Sequence, residues 1–239
     1  GATEALAASI LALVEPGDDV VLFEPLYDSY LPMVKRAGGN PRLVRLEPPD
    51  WRIPWDALQA VFSDKTKCIL FNTPMNPTGK VFSHDELTRL GRLLEKHDCY
   101  AICDEVYEHL VFDGREHASV LRHDEPYQRA FAISSFGQPY HVTGWKTGYV
   151  VAPPALSSEL RKVHQYVSFT GVTPLQWALA DFMAEHPEHI SELPAFYQAK
   201  RDLFCDLLAG SRFSFTRATG TYFQLADYSA IRPDLDDVA

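Results

Sequence analysis

Four short stretches hold residue types at spacings that can do chemistry. Asn72-Thr73-Pro74-Met75-Asn76-Pro77-Thr78-Gly79 places two carboxamides within a run of turn-forming residues. Asp104-Glu105-Val106-Tyr107 places a carboxylate three residues ahead of an aromatic hydroxyl. Ser134-Ser135-Phe136-Gly137 is followed by Gly144-Trp145-Lys146-Thr147-Gly148, which brings hydroxyls and an ammonium into one region of the chain. Gly1-Ala2-Thr3 opens an amphipathic run, and the first turn of a helix offers free amides and a positive dipole to an anion. Singly, each stretch has a plain structural reading. Asn-Pro-Thr-Gly suits a tight turn, Asp104 suits a helix cap, and every helix has an N-terminus. Their weight lies in their order and in their common place at strand ends.

The elements that must position them alternate along the chain. Helices are predicted over residues 3–15, 28–37, 55–62 and 84–97, the last opened by a Ser83/Glu86 capping box. Strands are predicted over 19–23, 42–46, 67–72, 100–103, 129–134 and 149–152. Strands separated by helices require crossovers, so the fold class is α/β, a mainly parallel sheet flanked by helices. Ligands of such sheets sit at the carboxyl ends of the strands, where the four stretches fall. Beyond Pro154 the pattern turns to long helices over 155–168, 174–185 and 187–208. A strand pair at 212–215 and 221–225 then reads as the start of a smaller α+β unit. The expected division is a large domain over 1–188 and part of a small one over 189–239.

Composition narrows the function classes. The 239 residues carry 22 Lys plus Arg against 32 Asp plus Glu, a net charge of −10, without a basic cluster for nucleic acid or an anionic membrane. The apolar run at residues 5–14 is well short of the ~20 residues that cross a bilayer. Cys68, Cys99, Cys103 and Cys205 lack paired metal or redox spacing, and the nine His form no ligand pattern, so no metal is expected. Small buried thiols point to a reducing compartment, by default the cytoplasm. The abrupt start at Gly1, and residues 234–239 that read as a cap and first helical turn, suggest a piece of a longer protein.

Taken together the sequence resembles a fold type I, pyridoxal-phosphate-dependent aminotransferase of class I/II, and within it the methionine and kynurenine (glutamine-type) enzymes. The resemblance runs from Gly1-Ala2-Thr3-Glu4-Ala5 through Glu24-Pro25-Leu26-Tyr27-Asp28-Ser29-Tyr30 and the stretches above to Gly220-Thr221-Tyr222-Phe223. It implies pyridoxal 5′-phosphate as cofactor, whose protonated ring accepts the electrons of a substrate Cα–H bond. By the same resemblance Asp104 keeps that ring nitrogen protonated, Tyr107 and Asn76 bond its phenolic oxygen, and Tyr27 stacks on its face. Asn72 is a second cofactor-site asparagine. The phosphate falls to the helix start that Gly1 opens, at the Ala2 and Thr3 amides, and to the Ser135 hydroxyl and the Lys146 ammonium. The implied reaction moves an amino group from a methionine, aromatic or kynurenine-like donor to a 2-oxo acid, in a homodimer. A cysteine-conjugate β-lyase, or a non-catalytic binding module on the same fold, stands as the alternative.

One position departs from the family. Its Schiff-base lysine, the residue that moves the proton at substrate Cα, belongs three residues after Ser135, where this chain has Gln138. A carboxamide is neither nucleophilic nor basic. Covalent attachment of the cofactor is therefore not expected, and activity is expected to be impaired. An engineered or accidental change, a natural relative that has lost transamination, and an error in the sequence all lead to the same residue. The arginine that holds the substrate carboxylate in the family falls beyond residue 239.

Overall fold

The computed structural model describes residues 1–235; of the helical turn expected over 234–239, residues 236–239 lie outside the described part. Six strands form one sheet in the order β2-β1-β3-β4-β5-β6. They are β1 (Asp19–Glu24), β2 (Asn40–Arg45), β3 (Thr66–Asn72), β4 (Tyr100–Asp104), β5 (Ala130–Ser135) and β6 (Gly148–Val151). The first five are parallel, and β6 returns antiparallel to β5. The helices are α1 (Ala2–Leu13), α2 (Tyr30–Arg36), α3 (Trp55–Val61), α4 (His84–Lys96), α5 (Asp124–Tyr127), α6 (Pro154–Val167), α7 (Thr173–Glu185) and α8 (His189–Leu208).

Period-2 alternation in the strands builds a core on each face of the sheet. Val21, Phe23, Ile69, Phe71, Ala101 and Cys103 turn to the side covered by α3 and α4, where they meet Leu58, Leu87, Leu90 and Leu94. Val20, Leu22, Leu70, Ile102, Phe131 and Ile133 turn to the other side, against Leu6 and Ile10 of α1, Val34 of α2 and Leu156 of α6. With both faces covered, the central strands read as unbroken apolar runs. Helix α4 starts where its capping box foretold: the Glu86 N–H donates to Ser83 Oγ at 3.2 Å, and the Ser83 N–H to Glu86 Oε2 at 2.9 Å.

The chain leaves β1 to form β2 on one side, then returns to form β3 on the other, so the sheet changes direction at β1/β3. Open α/β sheets bind ligands at the carboxyl ends of strands beside such a point. Register then aligns the site. Asn72 and Asp104 are paired neighbours at the ends of β3 and β4, and Ser135 pairs with Gly148.

Two expectations change. Helix α2 begins at Tyr30 rather than 28, because Tyr27 to Ser29 form the turn that leads out of the β1 end. The strand pair at 212–215 and 221–225 is not formed. Phe213 is 40% exposed, and a lone two-stranded ribbon without a covered face is marginal in water. Among the described residues that region makes only isolated bridges, Ser214 with Asp227 and Gly220 with Val111. Its backbone is bonded elsewhere: Thr219 and Gly220 N–H donate to the Gly79 carbonyl at 3.0 and 2.9 Å, and Thr221 N–H to that of Leu110 at 2.9 Å. Gly79 itself has φ +70°, and a Cβ there would overlap Ala218, so the Asn-Pro-Thr-Gly turn requires a glycine where it meets this segment.

Helices α6 to α8 bury less. Tyr166 is 90% exposed, Trp177 and Phe169 67% each, and Leu207 74%. No described helix is long and apolar enough to cross a membrane.

Candidate active site

At the carboxyl ends of β1, β3 and β4 lies a small pocket. Ala2, Thr3, Tyr27, Asn72, Asn76, Asp104, Tyr107 and Gln138 line it, so eight of the residues singled out in the sequence converge there. Leu6, Tyr30 and Val106 complete the lining, and sequence reasoning had assigned them no part. For Tyr30 a signal was present, since it follows Tyr27 by three residues just past β1. The structure sets the two rings edge to face, 5.5 Å apart.

The floor is a closed set of hydrogen bonds. Asn72 Nδ2 donates to the Asp104 carbonyl at 2.7 Å, and its Oδ1 accepts the Asn76 N–H at 2.6 Å. This ties the end of β3 to that of β4 and fixes the turn that carries Asn76. The Asp104 carboxylate accepts the Tyr30 hydroxyl at 2.7 Å and the Val106 N–H at 3.2 Å. Even so, burial pushes its pKa up to about 6; the Tyr30 and Val106 bonds pull it down, and neighbouring Glu105 adds to the rise. Tyr107 packs edge to face on Tyr222, ring centroids 5.3 Å apart. Burial first, then the Tyr222 hydroxyl, holds its phenol well above the ordinary range.

Beside the pocket, α1 begins without a side-chain cap, which leaves its first amides for a ligand. Lys146 Nζ reaches Thr3 Oγ1 at 3.4 Å, so the ammonium and the helix N-terminus stand together. Glycine is needed at 148, because a Cβ would lie 2.6 Å from the Ser134 carbonyl and 3.1 Å from the Ala2 nitrogen. Ser135 lies next to this cluster in register, but its hydroxyl accepts the Gly137 N–H at 2.9 Å and donates to the Thr147 carbonyl at 3.4 Å. Gly1 lies on the Lys146 side of α1, outside the lining of the pocket.

Position 138 forms a wall of the pocket. Gln138 Oε1 is buried and has no hydrogen-bond partner among the described residues, a state that costs about 1–3 kcal/mol. No lysine and no other cationic side chain lines the pocket among those residues. Lys80, the next lysine in sequence after the Asn-Pro-Thr-Gly turn, is paired with Glu86 at 2.8 Å.

These features fit pyridoxal phosphate. The buried, raised carboxylate has no cation beside it in the lining and is matched by a protonated ring nitrogen. The uncapped helix start with Lys146 is matched by a phosphate. Elsewhere the four cysteines are buried and unpaired, and no described group of three or more His, Cys, Asp or Glu could hold a metal ion.

A mainly parallel sheet with a buried aspartate at one strand end and an anion cup at the start of a helix is the large-domain architecture of fold type I pyridoxal-phosphate enzymes. The chain belongs to the aminotransferase class I and II family, whose model matches residues 1–236. It is 48% identical over 238 residues to the methionine aminotransferase of Escherichia coli (strain K12), covering 100% of this chain and 61% of that protein. Kynurenine–oxoglutarate transaminase 3 of Homo sapiens is 37% identical over 255 residues, covering 100% and 56%. Among solved structures, Escherichia coli YbdL, described as having a methionine aminotransferase function, superposes with a TM-score of 0.95 at 47% identity, over 100% of this chain and 62% of that one. N-succinyldiaminopimelate aminotransferase from Mycobacterium tuberculosis superposes with a TM-score of 0.93 at 37% identity, over 100% and 62%. The chain thus spans about three fifths of the length of the relatives it matches.

Proposed function

We propose that this chain is the cofactor-binding part of an aminotransferase that acts on methionine, aromatic or kynurenine-like donors and a 2-oxo acid, and that Gln138 leaves it with non-covalent cofactor and strongly reduced turnover. The observation that carries this reading is the convergence of Asn72, Asn76, Asp104, Tyr107 and Tyr27 on one pocket whose facing wall is Gln138. When bound, the cofactor supplies a ring that accepts the Cα–H electrons of the amino acid.

The chain's own residues do the rest. Asp104 would hold a proton on the ring nitrogen, and Tyr30 and Val106 fix its carboxylate. Tyr107 and Asn76 would bond the phenolic oxygen, Tyr27 would stack on the ring, and the helix start at Gly1 to Thr3, through the Ala2 and Thr3 amides, would hold the phosphate with Ser135 and Lys146. Gln138 can accept or donate a hydrogen bond but cannot take up the Cα proton, which is where the rate is lost. Residues 1–188 form the large domain in this reading, and 189–239 begin the small one. A cytoplasmic homodimer accompanies it, supported by the exposed Tyr166, Phe169 and Trp177 on the helical side.

The test is Gln138→Lys in the purified full-length protein. It should fix the cofactor covalently on borohydride treatment and raise methionine-to-oxo-acid transfer by at least about 100-fold, the usual scale of a positioned acid–base group. Pyruvate and ammonia from a cysteine conjugate, in place of oxo acid and aminated cofactor, would assign a β-lyase. Tight cofactor binding with no turnover in the variant would assign a non-catalytic binding module.

A further inference from the structure

In the proposed cofactor site, on which this inference rests, one buried side-chain atom of the described lining has no partner. Gln138 lines the pocket, and its Oε1 meets no donor among the described residues. The floor is otherwise closed: both polar ends of Asn72 and both carboxylate oxygens of Asp104 already have protein partners. The family's lysine would bring to position 138 a nitrogen with protons to donate and, when protonated, a positive charge. Gln138 brings a neutral amide in its place, and no cationic side chain in the described lining replaces the charge.

We propose that this site holds its cofactor in the amine form, pyridoxamine 5′-phosphate, in preference to the aldehyde form, with Gln138 as the selecting residue. An aminomethyl ammonium carries donors and a positive charge on the ligand, which restores to the pocket the nitrogen that the protein has given up. The unpartnered Oε1 then has a donor. The aldehyde offers only a carbonyl oxygen, an acceptor set against an acceptor. Turning the carboxamide over would give that oxygen an N–H but still no charge, so the amine form keeps its advantage. The preference needs no covalent step, and the cofactor becomes an exchangeable ligand of a pocket whose floor and anion cup are intact.

Equilibrium dialysis of the cofactor-free protein against each form separately tests this, with the ligand read by its absorbance. Borohydride treatment of the aldehyde sample reveals any adduct to another lysine. Pyridoxamine phosphate should bind with a Kd at least about tenfold lower. The ratio of the two constants should fall to one in Gln138→Leu, and should invert in Gln138→Lys, where the aldehyde form becomes fixed by borohydride. Because the ratio is taken within each variant, a loss of folded protein common to both titrations cancels. Equal affinities in the unaltered protein, a tighter aldehyde form, or a ratio unmoved by Gln138→Leu would overturn the preference and leave the cofactor site standing. Failure of both forms to bind would overturn the site and the preference together.

Discussion

At the floor of the pocket Asn72, Asp104 and Tyr30 are each at most 4% exposed and bonded to one another or to neighbouring backbone, whereas at the wall the Gln138 carboxamide oxygen is buried and bonded to nothing described. The floor does two jobs. Its bonds join the ends of β3 and β4, so the groups that meet the cofactor in the proposed reading also hold the sheet in register. The wall does one. Position 138 lies in the loop after β5, and no described bond to the rest of the fold depends on its side chain. The side chain at position 138 can therefore change with the architecture kept, whereas a comparable change on the floor would be felt as instability.

The sharpest way to break this comparison is Asn72→Ala. It strands the Asn76 N–H and removes one of two donors to the Asp104 carbonyl, which keeps the Thr73 N–H at 3.0 Å; at about 1–3 kcal/mol for the stranded group and about 1 kcal/mol for the lost bond, the expected loss is roughly 3 kcal/mol in urea unfolding. A loss under about 1 kcal/mol would show that the floor is not a structural unit.

Next in size is a pH effect at Asp104. Burial raises its carboxyl from the ordinary 3.8 to about 6, so the folded chain binds this proton more tightly than the unfolded one. The stability it contributes is complete below about pH 4 and is lost as pH rises through about 6, up to roughly 3 kcal/mol at about 1.4 kcal/mol per unit. Unfolding of cofactor-free protein between pH 4 and pH 7 should show this decline, and Asp104→Asn should remove it. An unchanged slope in the variant would assign the effect elsewhere.

A smaller effect is expected of Tyr30→Phe. It removes a donor to a buried carboxylate, about 2 kcal/mol at pH 7, and moves the Asp104 titration still higher. The deficit should therefore shrink below about pH 5, and a pH-independent deficit would point to lost packing instead. Smallest is Gln138→Leu, which removes an unpartnered acceptor and should leave cofactor-free stability unchanged or raised by about 1 kcal/mol. A clear loss at this position would give the wall a structural role and cancel the contrast.

Much of this was legible in the residues. The capping box at Ser83 and Glu86, the apolar runs of the central strands and the cluster of glycine and proline around Asn76 are local signals, and local physics set the elements they foretold. Asp104 and Tyr107 could be placed at a strand end because a strand that stops at a carboxylate leaves it at the sheet edge. Tyr30 was harder, since an aromatic at the start of a helix most often packs in the core. Only the fold brings its hydroxyl to a carboxylate 74 positions away. The expected strand pair at 212–225 failed for the opposite reason. Its residues have the right types, but strands exist by pairing, and the backbone of residues 219–221 was already bonded to Gly79 and Leu110.

The sequence by itself determined the alternation of strands and helices and the neutral amide at position 138, because these are properties of residue type and order. The tertiary structure alone decided which polar groups satisfy one another. Strand register put Asn72 beside Asp104, the turn after β1 brought Tyr30 beneath it, and burial raised that carboxyl toward 6. It also left the Gln138 oxygen without a partner, since desolvation and hydrogen-bond satisfaction depend on what surrounds an atom, and residues distant in the chain make up those surroundings.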